Sequence, residues 1–125
     1  MLKNAPIVPY IPAADLARAR RFYEDKVGLV ARDVVAGGVV YECGKGSWVF
    51  LYPSGGAGTS QASQAFWQVE DIEAEVAELV TRGVVFEDYQ NEYMRTVNHI
   101  ATFETSKAAW FKDSEGNIMA IIQSR

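Results

Sequence analysis

Asp15-Leu16-Ala17-Arg18-Ala19-Arg20-Arg21-Phe22-Tyr23 opens a stretch that stops at Gly28, and Asp71-Ile72-Glu73-Ala74-Glu75-Val76-Ala77-Glu78-Leu79-Val80 opens a second that stops at Gly83. Both read as amphipathic helices. An aspartate accepts hydrogen bonds from the free N–H groups of a first helical turn, and glycine ends a helix by entering the left-handed region. Leu16, Ala19, Tyr23 and Val27 share one face of the first helix, and Ile72, Val76, Leu79 and Val80 recur at i, i+4, i+7 and i+8 in the second. Asp15 and Asp71 are 56 residues apart and Gly28 and Gly83 are 55 apart, so the two units match with a single-residue gap. The chain is an internal repeat.

Each helix follows a short apolar run, Ile7 to Ile11 in the first half and Gln64 to Val69 in the second. Each then leads into further strands rich in β-branched and aromatic residues. In the first half these are Leu29 to Val35, Gly38 to Cys43 and Ser47 to Tyr52; in the second, Val84 to Phe86, Thr96 to Phe103, Ala108 to Lys112 and Asn117 to Gln123. Gly44-Lys45-Gly46 and Asp113-Ser114-Glu115-Gly116-Asn117 have the composition of hairpin turns. Pro53-Ser54-Gly55-Gly56-Ala57-Gly58-Thr59-Ser60 reads as a flexible linker. The expectation is therefore an α+β fold of paired βαβββ modules. Module one runs over about 5–53, the linker over about 54–62 and module two over about 63–125, all within a single domain 1–125.

With 125 residues, 49% hydrophobic and 22% charged, the chain has the composition of one ordinary globular domain. A net charge of −4 disfavours the phosphate neutralisation on which nucleic-acid binding depends, so no nucleic acid is expected. Cys43 is the only cysteine, which rules out an internal disulfide and reads as a small buried apolar side chain. The N-terminal stretch is broken by Pro6 and Pro9, unlike a signal peptide, and no apolar run is long enough for a membrane span. A cytoplasmic location without membrane contact is expected.

Ile11-Pro12-Ala13-Ala14-Asp15, Arg21-Phe22-Tyr23, Val27-Gly28-Leu29 and Ala109-Trp110-Phe111-Lys112-Asp113-Ser114-Glu115-Gly116-Asn117-Ile118 resemble, in order and spacing, the signatures of the glyoxalase / bleomycin-resistance / extradiol-dioxygenase (vicinal-oxygen-chelate) superfamily. The resemblance implies two modules forming a curled mixed sheet, helices outside and a ligand cleft inside. It further implies that catalytic members hold a divalent metal at four strand positions. Counting from the helix caps and hairpins places these at Val8, Gln64, Phe50 and Ala120. Only Gln64 has a donor atom, and a one-residue slip adds only Ser63, so neither a metal nor another cofactor is expected.

Period-2 alternation, with Phe50 and Ala120 taken on the cleft side, points Tyr10, Trp48, Phe50, Tyr52, Gln64, Phe66 and Gln68 inward and sets Val49, Leu51, Trp67, Val69, Met119 and Ile121 beneath the helices. Two readings of the inward set stand: rings that stack on a planar ligand with glutamines orienting it, or rings that fill a closed core. His99 is the one candidate catalytic base; on a strand over Thr96 to Phe103 it shares a face with Val97, Ala101 and Phe103, and no carboxylate partner is identifiable. The segment 87–95 reads as a loop flanking the cleft, and Arg20 and Glu24 as an i, i+4 pair. The leading expectation is a small-molecule binding protein that acts as a homodimer. The alternatives are a glyoxalase-like lyase, isomerase or dioxygenase with a metal site not visible in the sequence, a metal-free catalyst using His99 and tyrosines, and a protein-interaction module.

Overall fold

The computed structural model describes residues 1–124, and its strands fall into two separate mixed sheets. In the first half β1 (Tyr10–Ala13), β2 (Val30–Val35), β3 (Gly38–Glu42) and β4 (Trp48–Pro53) lie in the order β1-β4-β3-β2. In the second, β5 (Phe66–Gln68), β7 (Thr96–Val97), β8 (Ile100–Thr102), β9 (Ser106–Lys112) and β10 (Ile118–Ser124) lie in the order β5-β10-β9-β8-β7, and β6 (Phe86–Glu87) pairs with β9. The first strand of each half runs parallel to its last, Tyr10 opposite Phe50 and Phe66 opposite Ala120, while the remaining pairs are antiparallel. The architecture is α+β and the sheets are unclosed.

Two helices separate β1 from β2 and β5 from β6. In α1 (Leu16–Arg21) the Asp15 carboxylate accepts from Arg18 N at 3.0 Å, and in α2 (Ile72–Thr81) Asp71 accepts from Ala74 N at 3.1 Å. Such caps contribute about 1 kcal/mol each. The first helix does not run on regularly to Gly28: Phe22–Lys26 widen into one π turn, closed by Val27 N donating to Phe22 O at 3.1 Å. The extra residue turns both Phe22 and Tyr23 into the core. Arg20 Nε pairs with Glu24 at 2.8 Å, at the i, i+4 spacing read from the sequence.

Strand boundaries shift for physical reasons. β1 starts later than Ile7 because Pro6 and Pro9 have no N–H to donate; the ladder begins where Phe50 N meets Pro9 O at 3.0 Å. The segment 96–103 is a hairpin and not one strand, because Asn98 (φ 51°) and His99 (φ 71°) take left-handed conformations between β7 and β8. Cys43 is only partly buried.

One apolar cluster draws on both halves, including Ile11, Tyr23, Leu51, Ile72, Phe111 and Met119, and Phe22 meets Phe111 with ring centroids 6.2 Å apart. Across this junction the 113–117 turn is a polar clamp. Its side chains are nearly shut off from solvent, Asp113 at 6%, Glu115 at 8% and Asn117 at 2% exposure. Asp113 accepts from Tyr23 Oη at 2.5 Å and from the backbone N–H groups of Glu115 and Asn117 at 2.9 Å each. Glu115 accepts from Asp15 N at 2.8 Å and from Arg18 Nε at 2.8 Å, while Asn117 Nδ2 donates to Pro12 O at 2.7 Å. Each buried polar atom therefore has a partner, as a low-dielectric setting requires.

The linker read as flexible is docked on this clamp. Gly58 N donates to Asn117 Oδ1 at 3.0 Å, and a Cβ at Gly58 would stand 2.4 Å from Glu115 O. The backbone there approaches as closely as only glycine allows.

Candidate functional site

Along β4, Val49 and Leu51 enter the core, so Trp48, Phe50 and Tyr52 project from the opposite face. Tyr10 joins them from β1: its ring stacks on Tyr52 at 3.6 Å and 17° and lies 5.7 Å from Phe50. The Arg32 guanidinium sits 5.4 Å from the Trp48 ring centroid, within cation–π range.

On the second sheet, register places Phe66, Ala120 and Trp110 in one row and Gln68, Ile122 and Ala108 in the next. Ala120 is buried at the bottom of its row, whereas Gln64, Phe66 and Gln68 are exposed along the β5 edge. Tyr89 packs edge-to-face on Trp110 at 5.5 Å and 84°. Burial pushes the Tyr89 hydroxyl pKa up, with the Glu87 charge adding to it, so this phenol stays a hydrogen-bond donor at neutral pH. Tyr89 is the second residue of the 88–95 loop, which is closed where Gln90 pairs with Arg95. The loop thus flanks the same face as Trp110.

Of the two aromatic groups, Trp48 and Phe66 line a common groove in the gap between the sheets. A groove of about 250 Å³ has Pro9 and Trp48 on one wall and Ala65 and Phe66 on the other. A wider one of about 700 Å³ lies between Lys45 and Ser47 of the first hairpin and Phe66, Gln68 and Glu70. Volumes of this order suit small organic molecules. In the single chain the face is open rather than enclosed, with Tyr10 at 61% and Phe66 at 58% exposure.

Sequence reasoning missed Trp110 and Tyr89. Trp110 was within reach, because it alternates with the buried Phe111 on β9 and so must face the other way. Tyr89 follows β6 in a region without periodicity, and nothing local reveals its partner.

His99 stands apart from this face. Its ring stacks on Phe86 at 5.8 Å, and Phe86 is paired with Phe111 on the core side of the sheet, opposite in direction to Trp110. Its left-handed turn position removes it from the face of Val97, Ala101 and Phe103 expected from a continuous strand. The structure also supplies the carboxylate that the sequence did not reveal: His99 Nδ1 lies 2.9 Å from Asp88 Oδ1, and the Thr96 hydroxyl donates to the same oxygen at 3.2 Å. The pair ties the β7–β8 turn to the start of the loop that follows β6.

A metal does not fit the four strand positions expected to hold one. Val8, Phe50 and Ala120 carry no donor atom, Gln64 is an exposed amide at a sheet edge, and among the described residues no three His, Cys, Asp or Glu side chains converge.

The chain matches the family model described as "Glyoxalase/Bleomycin resistance protein/Dioxygenase superfamily" over residues 6–121. No curated protein matches the sequence. Solved structures with the same fold include a glyoxalase/bleomycin resistance protein/dioxygenase from Alicyclobacillus acidocaldarius, with TM-score 0.71, 16% identity, and 97% of this chain and 92% of that one covered. TnmS3, an antibiotic binding protein from Streptomyces sp. CB03234, superposes with TM-score 0.65 at 21% identity, over 98% of each chain. A lactoylglutathione lyase from Agrobacterium tumefaciens does so with TM-score 0.66 at 21% identity, over 96% of this chain and 93% of that one. At these identities the likeness is one of fold. Among the described residues no helix is long and apolar enough to cross a membrane.

Proposed function

The chain belongs to the Glyoxalase/Bleomycin resistance protein/Dioxygenase superfamily, and from that premise we propose that it is a cytoplasmic binding protein for a planar, aromatic small molecule, acting without a metal. One observation carries the reading. Where a metal-dependent relative would place ligands, this chain places Val8, Phe50 and Ala120, and around them it sets Tyr10, Trp48 and Tyr52 on one sheet and Phe66 and Trp110 on the other. Such a face offers stacking and apolar burial rather than Lewis-acid chemistry. Gln64 and Gln68 stand at its edge to supply orienting hydrogen bonds. An antibiotic binding protein of the same fold supports the reading. The one candidate catalytic base, His99, lies with Asp88 on the far side of the second sheet, which favours binding over turnover at this face.

The same proposal makes the protein a single two-module domain and a homodimer, since rings as exposed as Tyr10 and Phe66 gain cover from a second copy. Light scattering at micromolar concentration is expected to give twice the chain mass. Fluorescence titration with aromatic metabolites and drugs tests the face. Removing one stacked ring costs on the order of 1 kcal/mol beyond area burial, so Trp48→Ala is expected to weaken binding about several-fold to tenfold, and His99→Ala to leave it unchanged. A folded Trp48→Ala protein that binds the ligand as tightly as before overturns the assignment.

A further inference from the structure

Behind β5, on the helix side of the sheets, a second cavity of about 200 Å³ opens between the halves. Val27 and Leu29, which follow the π turn, form one wall, and Trp67, Leu79, Phe111 and Ile121 form the rest. Trp67 alternates with Phe66 and Gln68, so its ring lies on the side of the strand opposite the aromatic face. The Trp67 and Phe111 rings are nearly parallel, 6.3 Å between centroids and 14° between planes; Phe111 is fully buried beneath, so the partly exposed Trp67 ring is the aromatic surface the cavity offers. Val27, Leu29 and Trp67 pack against the core yet are only partly buried. The space exists because the widened last turn of α1 and the body of α2 leave the junction beneath them unfilled.

We propose that this cavity binds a neutral aromatic molecule of one or two fused rings that carries a single N–H or O–H donor. Size sets the first limit: an apolar cavity of about 150 Å³ is known to stay dry and accept benzene, and this one is somewhat larger. Polarity sets the second. Apart from Gln68, the one polar side chain on the lining is Glu75, one helical turn before Leu79 on α2 and therefore on the same side of the helix. Among the described residues the Glu75 carboxylate makes no ion pair, although Glu73 and Glu78 on the same helix each do. An unpaired carboxylate at the mouth of an apolar cavity accepts a donor and repels an anion. The site shares Trp67, Gln68 and Val69 with the grooves of the candidate face, whereas Val27, Leu29 and Leu79 line this cavity alone and tell the two sites apart.

Indole is the probe, and two-dimensional NMR of the full chain is the readout. Indole at millimolar concentration is expected to shift the Trp67 indole N–H and the amides of Val27 and Leu79, and the Trp48→Ala variant is expected to respond in the same way. Val27→Phe, which fills the cavity, is expected to weaken binding by about tenfold or more, and the exposed change Glu75→Gln by about threefold. Benzoate is expected to bind at least about tenfold more weakly than indole. The proposal is overturned if indole leaves these signals unmoved, if it shifts only residues of the aromatic face, if benzoate binds as well as indole, or if a folded Val27→Phe protein keeps full affinity. It is equally overturned if a second copy of the chain occupies the mouth, seen as loss of the indole response when protein concentration is raised.

Discussion

The hairpin tips at 43–47 and 113–117 occupy equivalent places in the repeat and close with the same backbone bonds. Cys43 N donates to Ser47 O at 2.8 Å and Asp113 N to Asn117 O at 2.9 Å; inside each, a shorter turn is closed at 3.1 Å. There the likeness ends. At the first tip the side-chain bonding stays local, Ser47 Oγ donating to Gly44 O at 2.7 Å, and the tip lines the grooves beside β5. At the second, two carboxylates and an amide reach back to Pro12, Asp15, Arg18 and Tyr23. A duplicated backbone can thus hold one copy as a fastening and leave the other free to border a binding site, with the choice made by three side chains.

The largest expected effect tests the fastening. Asp113→Ala strands the Tyr23 hydroxyl, two backbone N–H groups and the Asn117 amide in a buried setting, and is expected to cost about 3 kcal/mol or more in urea unfolding. A cost no larger than that of Gly44→Ala at the exposed tip would erase the distinction between the two.

Glu115→Gln is expected to cost less, about 1–2 kcal/mol, because it keeps the shape while losing the charge that half-exposed Arg18 meets and turning one of two accepting oxygens into a donor. The Arg18 guanidinium, aided by the Asp15 N–H and the Ser114 hydroxyl, holds the Glu115 carboxyl at about 2 against the burial that opposes it. A carboxyl depressed on folding contributes its stability in full above the ordinary carboxylate value of about 4.3 and loses it as pH falls from there through the folded value. Wild-type protein is therefore expected to lose stability between about pH 4 and pH 2, and the Glu115→Gln profile to be flatter across that window. Parallel profiles would show that the ion pair contributes nothing to folding.

The smallest effect belongs to the free tip. Lys45 holds a left-handed conformation with φ 56°, and Lys45→Gly is expected to stabilise by about 1 kcal/mol or less, read as a higher urea midpoint with unchanged slope. A loss of stability would mean that the Lys45 side chain has a partner at this tip after all.

The sequence disclosed whatever repeats or alternates. The two caps, the two helices and the alternation of β4 and β10 follow from spacing, because burial acts on every third or fourth residue of a helix and every second residue of a strand, while the family resemblance named which face is the cleft side. Asp113, Glu115 and Asn117 were legible only as turn formers, since these residue types ordinarily face water and their partners lie far away in the chain. The division into two sheets was equally hidden: the parallel pairs that end each half are visible as apolar runs, but nothing local says whether the outer edges of β1 and β5 meet. His99 was misplaced because two non-glycine residues in the left-handed region interrupt what reads as a continuous strand. On the candidate face, the residues of β1, β4 and β5 could be assigned by period, whereas Tyr89 rests on a loop contact that no pattern encodes.

The clamp spans the chain almost end to end: Tyr23 to Asp113 is 90 positions, Arg18 to Glu115 97, Asp15 to Glu115 100 and Pro12 to Asn117 105. Closing so long a loop is entropically slow, and on the ribosome it cannot happen until the final hairpin has emerged from the exit tunnel. Until then the nascent first half carries Tyr23 and the Asp15 N–H without their partners. The bonds that lock the first helix in place form only after residues 113–117 have been made, so a product truncated before Asp113 lacks its lock and is open to proteolysis.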